Sequence, residues 1–525
     1  MIPLQALPQD SPLPVTMGIS SIVRLLPGLI LSCWLSPVLG AFNLSELSTG
    51  AAQSQTVLHG DFSGTGTAEI IVFSVAEDRR RSVQRFVMRE GRYVAASTEF
   101  SEVPQDLILV DTARLASGDA LIGFSSDLAY VIDTTTGNTR PLLRFRSLYN
   151  NVVEKELPVM DIMQDINGDG FDDFLMPDFR GYQVSVQQSD GGFPEPVSLF
   201  APPAMDVTYN SHPWYEARTP YVTDMTLDGV NDLTFWYQDA FLVYPGTGQS
   251  FATTAISFRP EVAFEYEGYE GMSMRMGGED QSDSVRKALF QLKDLDGDQI
   301  PELVTLKVRS EGVFNKKSTY EIYQGKAGKQ LVSFGTEPVS SIESDGIQFQ
   351  LDEKDLNNDG QTDIIISSVE IGLGKIVRAL LTGSVRIQLG FHQMRDGSYG
   401  SKPDSERDVV ATFSMSTGEV FFPSVLMTDV SGDGLLDLLV QEGREALHVY
   451  TGEGAERLFS RERETLEIPM PARPDLVQLA DLDGDGRSDL IIRIDDDKQN
   501  QRLLVLQSAW GDEAASAGQN SSERQ

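Results

Sequence analysis

Asp481-Leu482-Asp483-Gly484-Asp485-Gly486-Arg487-Ser488-Asp489, running straight into Leu490-Ile491-Ile492, is the stretch on which the fold turns. Oxygen-bearing side chains stand at its first, third, fifth and ninth positions, and a tightly curled loop aims such alternate residues at one point. A hard divalent cation such as calcium takes six to eight oxygens, so this donor set suits it, with the backbone carbonyl of the seventh residue, Arg487, as a further ligand. Glycine at the sixth position supplies the positive φ that the curl requires. The apolar, β-branched residues that follow read as a buried strand.

The same pattern recurs along the chain. Asp165, Asn167, Asp169 and Asp173 form one copy, with the carbonyl of Phe171; Asp355, Asn357, Asp359 and Asp363 form another, with Gln361. Three copies carry single changes: Asp294, Asp296, Asp298 and Glu302 with Ile300; Asp429, Ser431, Asp433 and Asp437 with Leu435; and Asp224, Thr226, Asp228 and Asp232 with Val230. A weaker seventh copy is Asp61, Ser63, Thr65 and Glu69. Asn, Ser and Thr at the third position remain oxygen donors, so the expectation is six calcium sites and a feeble seventh.

An EF-hand shares the DxDxDG core but ends in a bidentate Glu at position 12 and is flanked by helices. Position 12 here is Met176, Phe235, Thr305, Ile366, Val440 or Ile492, and strand-like runs flank every loop. The loops therefore join strands. In these residues the chain resembles the FG-GAP or VCBS repeats of integrin α-subunit propellers and of many bacterial exported proteins. The resemblance implies one four-stranded blade per repeat, with the calcium loop between its first two strands and a structural metal.

Motif starts at Asp61, Asp165, Asp224, Asp294, Asp355, Asp429 and Asp481 leave one interval much longer than the others. A further blade is expected there, with strands at Leu107–Asp111 and Ala120–Phe124. Ala113 and Leu115 stand at its ligand positions, so its loop should hold no metal, and replacing Asp119 with Ala should have little effect. The expected fold is all-β, a single propeller over 42–510 with eight four-stranded blades, or seven and an irregular segment. Phe42–Leu47 is expected to complete the last blade, leaving no open edge. Residues 511–525 read as a polar, disordered tail.

With 78 acidic and 42 basic residues the net charge is −36, which disfavours nucleic acid and anionic lipid as partners. One cysteine, Cys33, excludes an internal disulfide, and four histidines offer no zinc-type spacing. Residues 1–41 read as a signal peptide, with its start possibly at Met17: Arg24 is followed by an apolar run from Leu25 to Leu39 and small residues before Ala41. That run, broken by Pro27 and Pro37, falls short of the roughly 20 residues that a membrane span needs. Export to the periplasm, cell surface or medium follows, with lipid anchoring through Cys33 as a lesser alternative.

No nucleophile motif or metal-poised histidine stands out, and every recurrent acid is explained as a ligand. The expected function is a non-catalytic adhesion, ligand-binding or scaffolding module for a protein or glycan; the alternative is a polysaccharide-cleaving enzyme on the same scaffold. Tyr209, His212, Trp214 and Tyr215, in a segment that departs from the repeat, are candidates for the ligand face. Gly268–Ser284 reads as a mobile loop, and Ile371–Leu381 as a short helix inserted within one blade, packed on the propeller or, as the alternative, facing a partner.

Overall fold

The computed structural model describes residues 38–39, 41–96, 103–207, 213–267, 284–310, 316–370, 372–414, 416 and 418–510. Residues 1–37 with Cys33, the tail, Tyr209, His212 and nearly all of the loop at 268–284 lie outside them, so the expectations that rest on them are not addressed by the structure.

Eight four-stranded antiparallel blades follow one another along the chain as a β-propeller. Blade 1 spans 54–95, blade 2 spans 109–144, blade 3 spans 163–200 and blade 4 spans 221–258. Blade 5 is built from Ser284–Lys293, Glu302–Ser310, Lys316–Tyr323 and Ser340–Asp345, with Tyr266–Glu267 added in parallel beside its first strand. Blade 6 runs from Ile347 to Phe421 and blade 7 from Val425 to Leu466. Blade 8 takes Val477–Ala480, Asp489–Ile494 and Gln501–Ser508 from the end of the chain and Phe42–Gly50 from its beginning.

Closure is antiparallel and long, with Phe42 opposite Ser508, Leu44 opposite Leu506 and Leu47 opposite Leu503. It leaves neither end of the sheet ring as an open edge, which is how a propeller avoids pairing with other chains. The eight-blade expectation and the closing role of Phe42–Leu47 both match this arrangement.

The core is a ring rather than a ball. Among the described residues, each apolar cluster joins two successive blades: Ile71 and Phe73 of blade 1 meet Leu121 and Tyr130 of blade 2. Across the seam, Ile70 and Val72 meet Ile491 and Leu503 of blade 8. Alternate side chains of one strand thus face opposite neighbours, and both faces are dry. This is why the second strands read as unbroken apolar runs: Glu69–Val75 and Asp173–Asp178 are buried at every position.

The blade in the long interval is present, as Leu109–Leu115 and Gly118–Phe124. These strands extend further toward each other than the sequence reading placed them. They are joined by a tight hairpin at Ala116-Ser117, with no long loop between them.

Candidate metal centres

In six blades the acidic loop joins the first strand to the second. Its curl is set by the first aspartate, whose two oxygens collect backbone N–H groups from inside the loop. Asp481 Oδ1 accepts from Gly484 at 2.8 Å and Asp485 at 3.1 Å, and its Oδ2 accepts from Gly486 at 3.0 Å. Asp165 does the same with Gly168, Asp169 and Gly170.

Two positions of each loop have positive φ, not the one read from the sequence. At the sixth, Gly170, Gly229, Gly360, Gly434 and Gly486 lie between 83° and 87°, while Gln299 holds 70°. At the fourth, glycine alternates with Leu227 at 58° and Asn358 at 56°. Gln299 and Leu227 are therefore held in a conformation that costs a side-chain-bearing residue about 1–2 kcal/mol.

The ninth residue is the fixed point. Asp173, Asp232, Asp363, Asp437 and Asp489 are wholly buried, and Glu302 nearly so. Each accepts an N–H from the second loop residue and one from the end of the third strand or just beyond it. For Asp489 these are Leu482 N at 3.0 Å and Ser508 N at 2.7 Å; for Asp437 they include Val430 N at 2.9 Å and Gly452 N at 2.8 Å. The second residue, Leu482 or Val430 for example, is an apolar plug beneath the loop with no exposure.

The donor sets fit a hard divalent ion. Oxygens of Asp294, Asp296 and Glu302 lie within 4.8 Å of one another, as do those of Asp481, Asp483 and Asp489. These are the two loops whose first, third and ninth residues are all acids. Asp483 Oδ1 is buried with no hydrogen-bond partner, as expected of an atom meant for a cation. Burial raises Asp489, Asp173 and Glu302 to about 7 and Asp363 to about 6, even with the backbone N–H groups they accept. A bound cation is the charge that would hold them ionised.

The loops gather on one face. Ser488 N donates to Asp429 O at 2.8 Å between blades 7 and 8, Ala68 N to Leu482 O at 2.8 Å between blades 8 and 1, and Thr362 N to Leu295 O at 3.2 Å between blades 5 and 6. A cavity of about 620 Å³ opens on this side, its lining including Asp61, Asp119, Asp165, Asp172 and Asp481 together with His59 and Arg114.

Blade 2 has no such loop, but Asp119 is not idle. Its Oδ2 accepts Asp61 N at 3.0 Å and so ties blade 2 to the blade 1 loop, a contact that the sequence reading, which expected little effect from its loss, did not include. Blade 1 also departs from the pattern. Its Glu69 is held by a guanidinium: Arg85 donates from Nε to Oε2 and from Nη2 to Oε1, each at 2.7 Å. Burial pushes Glu69 up, but the Arg85 and Ser63 hydrogen bonds and the Arg85 charge bring it below the usual carboxylate range. Ser63 is hydrogen-bonded to Glu69 and Thr65 to Asp61, and the Arg85 guanidinium sits on the Ser63–Glu69 pair.

Of the expected ligand-face residues, Tyr215 is described. It lies on the hairpin Ala204–Val207 and Pro213–Glu216, is 40% exposed, and meets Phe179 edge-on at 5.3 Å. Trp214 is opposite Asp206 in that hairpin.

The inserted helix spans Leu373–Thr382, between the second and third strands of blade 6. Its packing differs from expectation. Val377, Leu380 and Leu381 are exposed by 47, 55 and 82%. Its other edge, with Lys375, Arg378 and Ala379, lines a groove of about 390 Å³ against Ser384, Arg386 and Asp408. No helix among the described residues is long and apolar enough to cross a membrane.

No curated protein matches the sequence. Among solved structures the chain is similar to the biofilm matrix protein Bap1 of V. cholerae, at 14% identity over 89% of each chain, with a TM-score of 0.36. It is also similar to the WD40 domain of SCAP from fission yeast, at 11% identity over 89% of this chain and 98% of that one, again with a TM-score of 0.36. Residues 429–492, from the loop of blade 7 through the first strands of blade 8, match the model of an FG-GAP-like repeat. The chain is thus an eight-bladed β-propeller that carries an FG-GAP-like repeat.

Proposed function

We propose that this protein is an exported, calcium-stabilised propeller that binds a protein or glycan as a non-catalytic adhesion or scaffolding module. The observation that carries the reading is a division of labour between the two faces. In an antiparallel blade the connections from strand one to two and from three to four lie on one face, and the remaining connections on the other. The acidic loops occupy the first face. On the second lie Phe179, Phe200, Met205, Tyr215, Leu380, Leu381 and Phe422, all 40% exposed or more.

Phe171 and Val339 are exposed to a similar degree on the acidic face, but most of the large exposed apolar side chains lie on the second, and such a concentration marks an interaction surface. Rigid aromatic groups such as Tyr215 with Phe179, or Phe200 with Tyr237 at 5.6 Å, suit either a sugar ring or a protein pocket. Calcium on the opposite face would fix the blades that present this surface, and a signal peptide at 1–41, starting possibly at Met17, would bring the protein to where calcium is plentiful.

The test is binding of the mature protein to a glycan array and to envelope extracts, with Phe179→Ser/Tyr215→Ser and Leu380→Glu/Leu381→Glu compared against the parent. Loss of binding with an unchanged melting temperature supports the reading, and the array separates glycan from protein ligands. Full binding by both variants rejects this face. Release of new unsaturated ends from acidic polysaccharides would replace the reading with the enzymatic one.

A further inference from the structure

Strand register allows one position to be compared in all seven loop-bearing blades: the third-strand residue opposite the second residue after the ninth loop position. In blades 3 to 8 it is Val184, Val243, Ile322, Phe391, Val449 and Val505. All six are apolar and buried. In blade 1 it is Arg85, opposite Ile71.

Arg85 does not swing out to water. Its side chain is 13% exposed and its guanidinium forks onto both oxygens of Glu69, while Nη2 also reaches Ser63 Oγ at 3.2 Å. Ser63 Oγ is itself hydrogen-bonded to Glu69, and Thr134 Oγ1 of blade 2 donates to Glu69 Oε2 at 3.1 Å. In the other loops the ninth acid is held by backbone N–H groups, which leaves its remaining lone pairs for an ion. The fifth position of blade 1 has lost its carboxylate as well, being Thr65. One acid fewer and one cation more is the change expected if a fixed charge replaces a bound one.

We infer that the Arg85 guanidinium permanently takes the place of the divalent ion in blade 1, so that this loop binds no calcium and needs none. The inference deepens the calcium reading for the other loops. Because blade 2 has only a hairpin at this position, blades 1 and 2 form a calcium-independent pair beside the seam, and calcium governs the contiguous arc from blade 3 to blade 8. On calcium loss, loosening then starts away from blades 1 and 2.

Hydrogen exchange on the full mature chain, with calcium and with chelator, tests this. Segment 61–69 is expected to keep its protection while 165–173, 224–232, 294–302, 355–363, 429–437 and 481–489 lose theirs. Deprotection of 61–69 together with the rest overturns the inference and leaves the calcium reading standing. If no loop responds, the calcium reading fails and Arg85→Val decides. That variant should speed exchange at 61–69 by about tenfold or more, as for loss of a charge-assisted hydrogen bond; unchanged exchange sinks the inference. Should Arg85→Val not fold, Arg85→Lys, which keeps the charge but not the fork, should still leave 61–69 indifferent to calcium, and a calcium response there overturns the inference. Thr65→Asp/Arg85→Val should bind one more calcium than the parent by native mass spectrometry, and a parent that already carries seven contradicts it.

Discussion

Leu47 lies opposite Leu503 in the antiparallel pair that joins the beginning of the propeller to its end, and both side chains are buried in the cluster between blades 8 and 1. One contact therefore belongs at once to ring closure and to the core.

Leu503→Ala should cost about 2–5 kcal/mol, the usual penalty for a large-to-small change in a packed core. Removing residues 42–50 should do more, because Gln501–Ser508 then becomes an unpaired edge. The expected outcome is a lower denaturant midpoint for the point variant and concentration-dependent association of the truncated chain on gel filtration. A truncated chain that stays monomeric and melts like the parent would show that closure is dispensable.

Chelation should lower the melting temperature. A site that binds only the folded chain contributes about 2.7 kcal/mol when calcium is at 100 times its dissociation constant. Asp489→Ala should destabilise with or without calcium, since Leu482 N and Ser508 N lose a buried acceptor. Asp485→Ala should matter chiefly when calcium is present. Identical melting curves with calcium and with chelator would remove the metal from the account.

Asp119→Ala should cost about 0.5–1.5 kcal/mol, because it withdraws the acceptor of Asp61 N from a partly buried site. Urea unfolding measures this, and a midpoint equal to the parent's would mean that water takes over the bond.

Asp111 connects blades 2 and 3 by accepting Ile162 N at 2.7 Å and Met163 N at 2.9 Å, and burial pushes its carboxyl up to about 6. With the folded value above the unfolded one, the folded state binds the proton more tightly. This group's contribution to stability is therefore greatest below about pH 4, falls as pH rises toward 6, and is flat above that. Asp111→Asn should flatten that part of the stability profile between pH 4 and 6, as measured by denaturant titration in chelator. A variant with the parent's slope would assign the dependence to other acids.

Much of the architecture was legible in the residues. A curled oxygen-rich loop is local: its donors lie within nine residues of each other, so Asp481 to Asp489 announce it without help from the rest of the chain. The strand after each loop is equally plain, because burial between two neighbouring blades makes every residue of Ile364-Ile365-Ile366 apolar. Even closure could be read, since the last blade lacked a strand and Phe42–Leu47 had no other partner.

What the residues did not disclose depends on pairing across strands. Arg85 is an ordinary arginine until register sets it against the blade 1 loop, in a position that is valine, isoleucine or phenylalanine elsewhere. Asp119 looks spare until blade 2 packs on blade 1. The helix Leu373–Thr382 was recognisable from its spacing, but periodicity shows only that one side is apolar, not which side the blade leaves uncovered. Local chemistry, then, determined where the loops and strands are; charge balance in blade 1 and the outward turn of Leu380 and Leu381 were decided by tertiary structure, because each requires residues distant in sequence to meet.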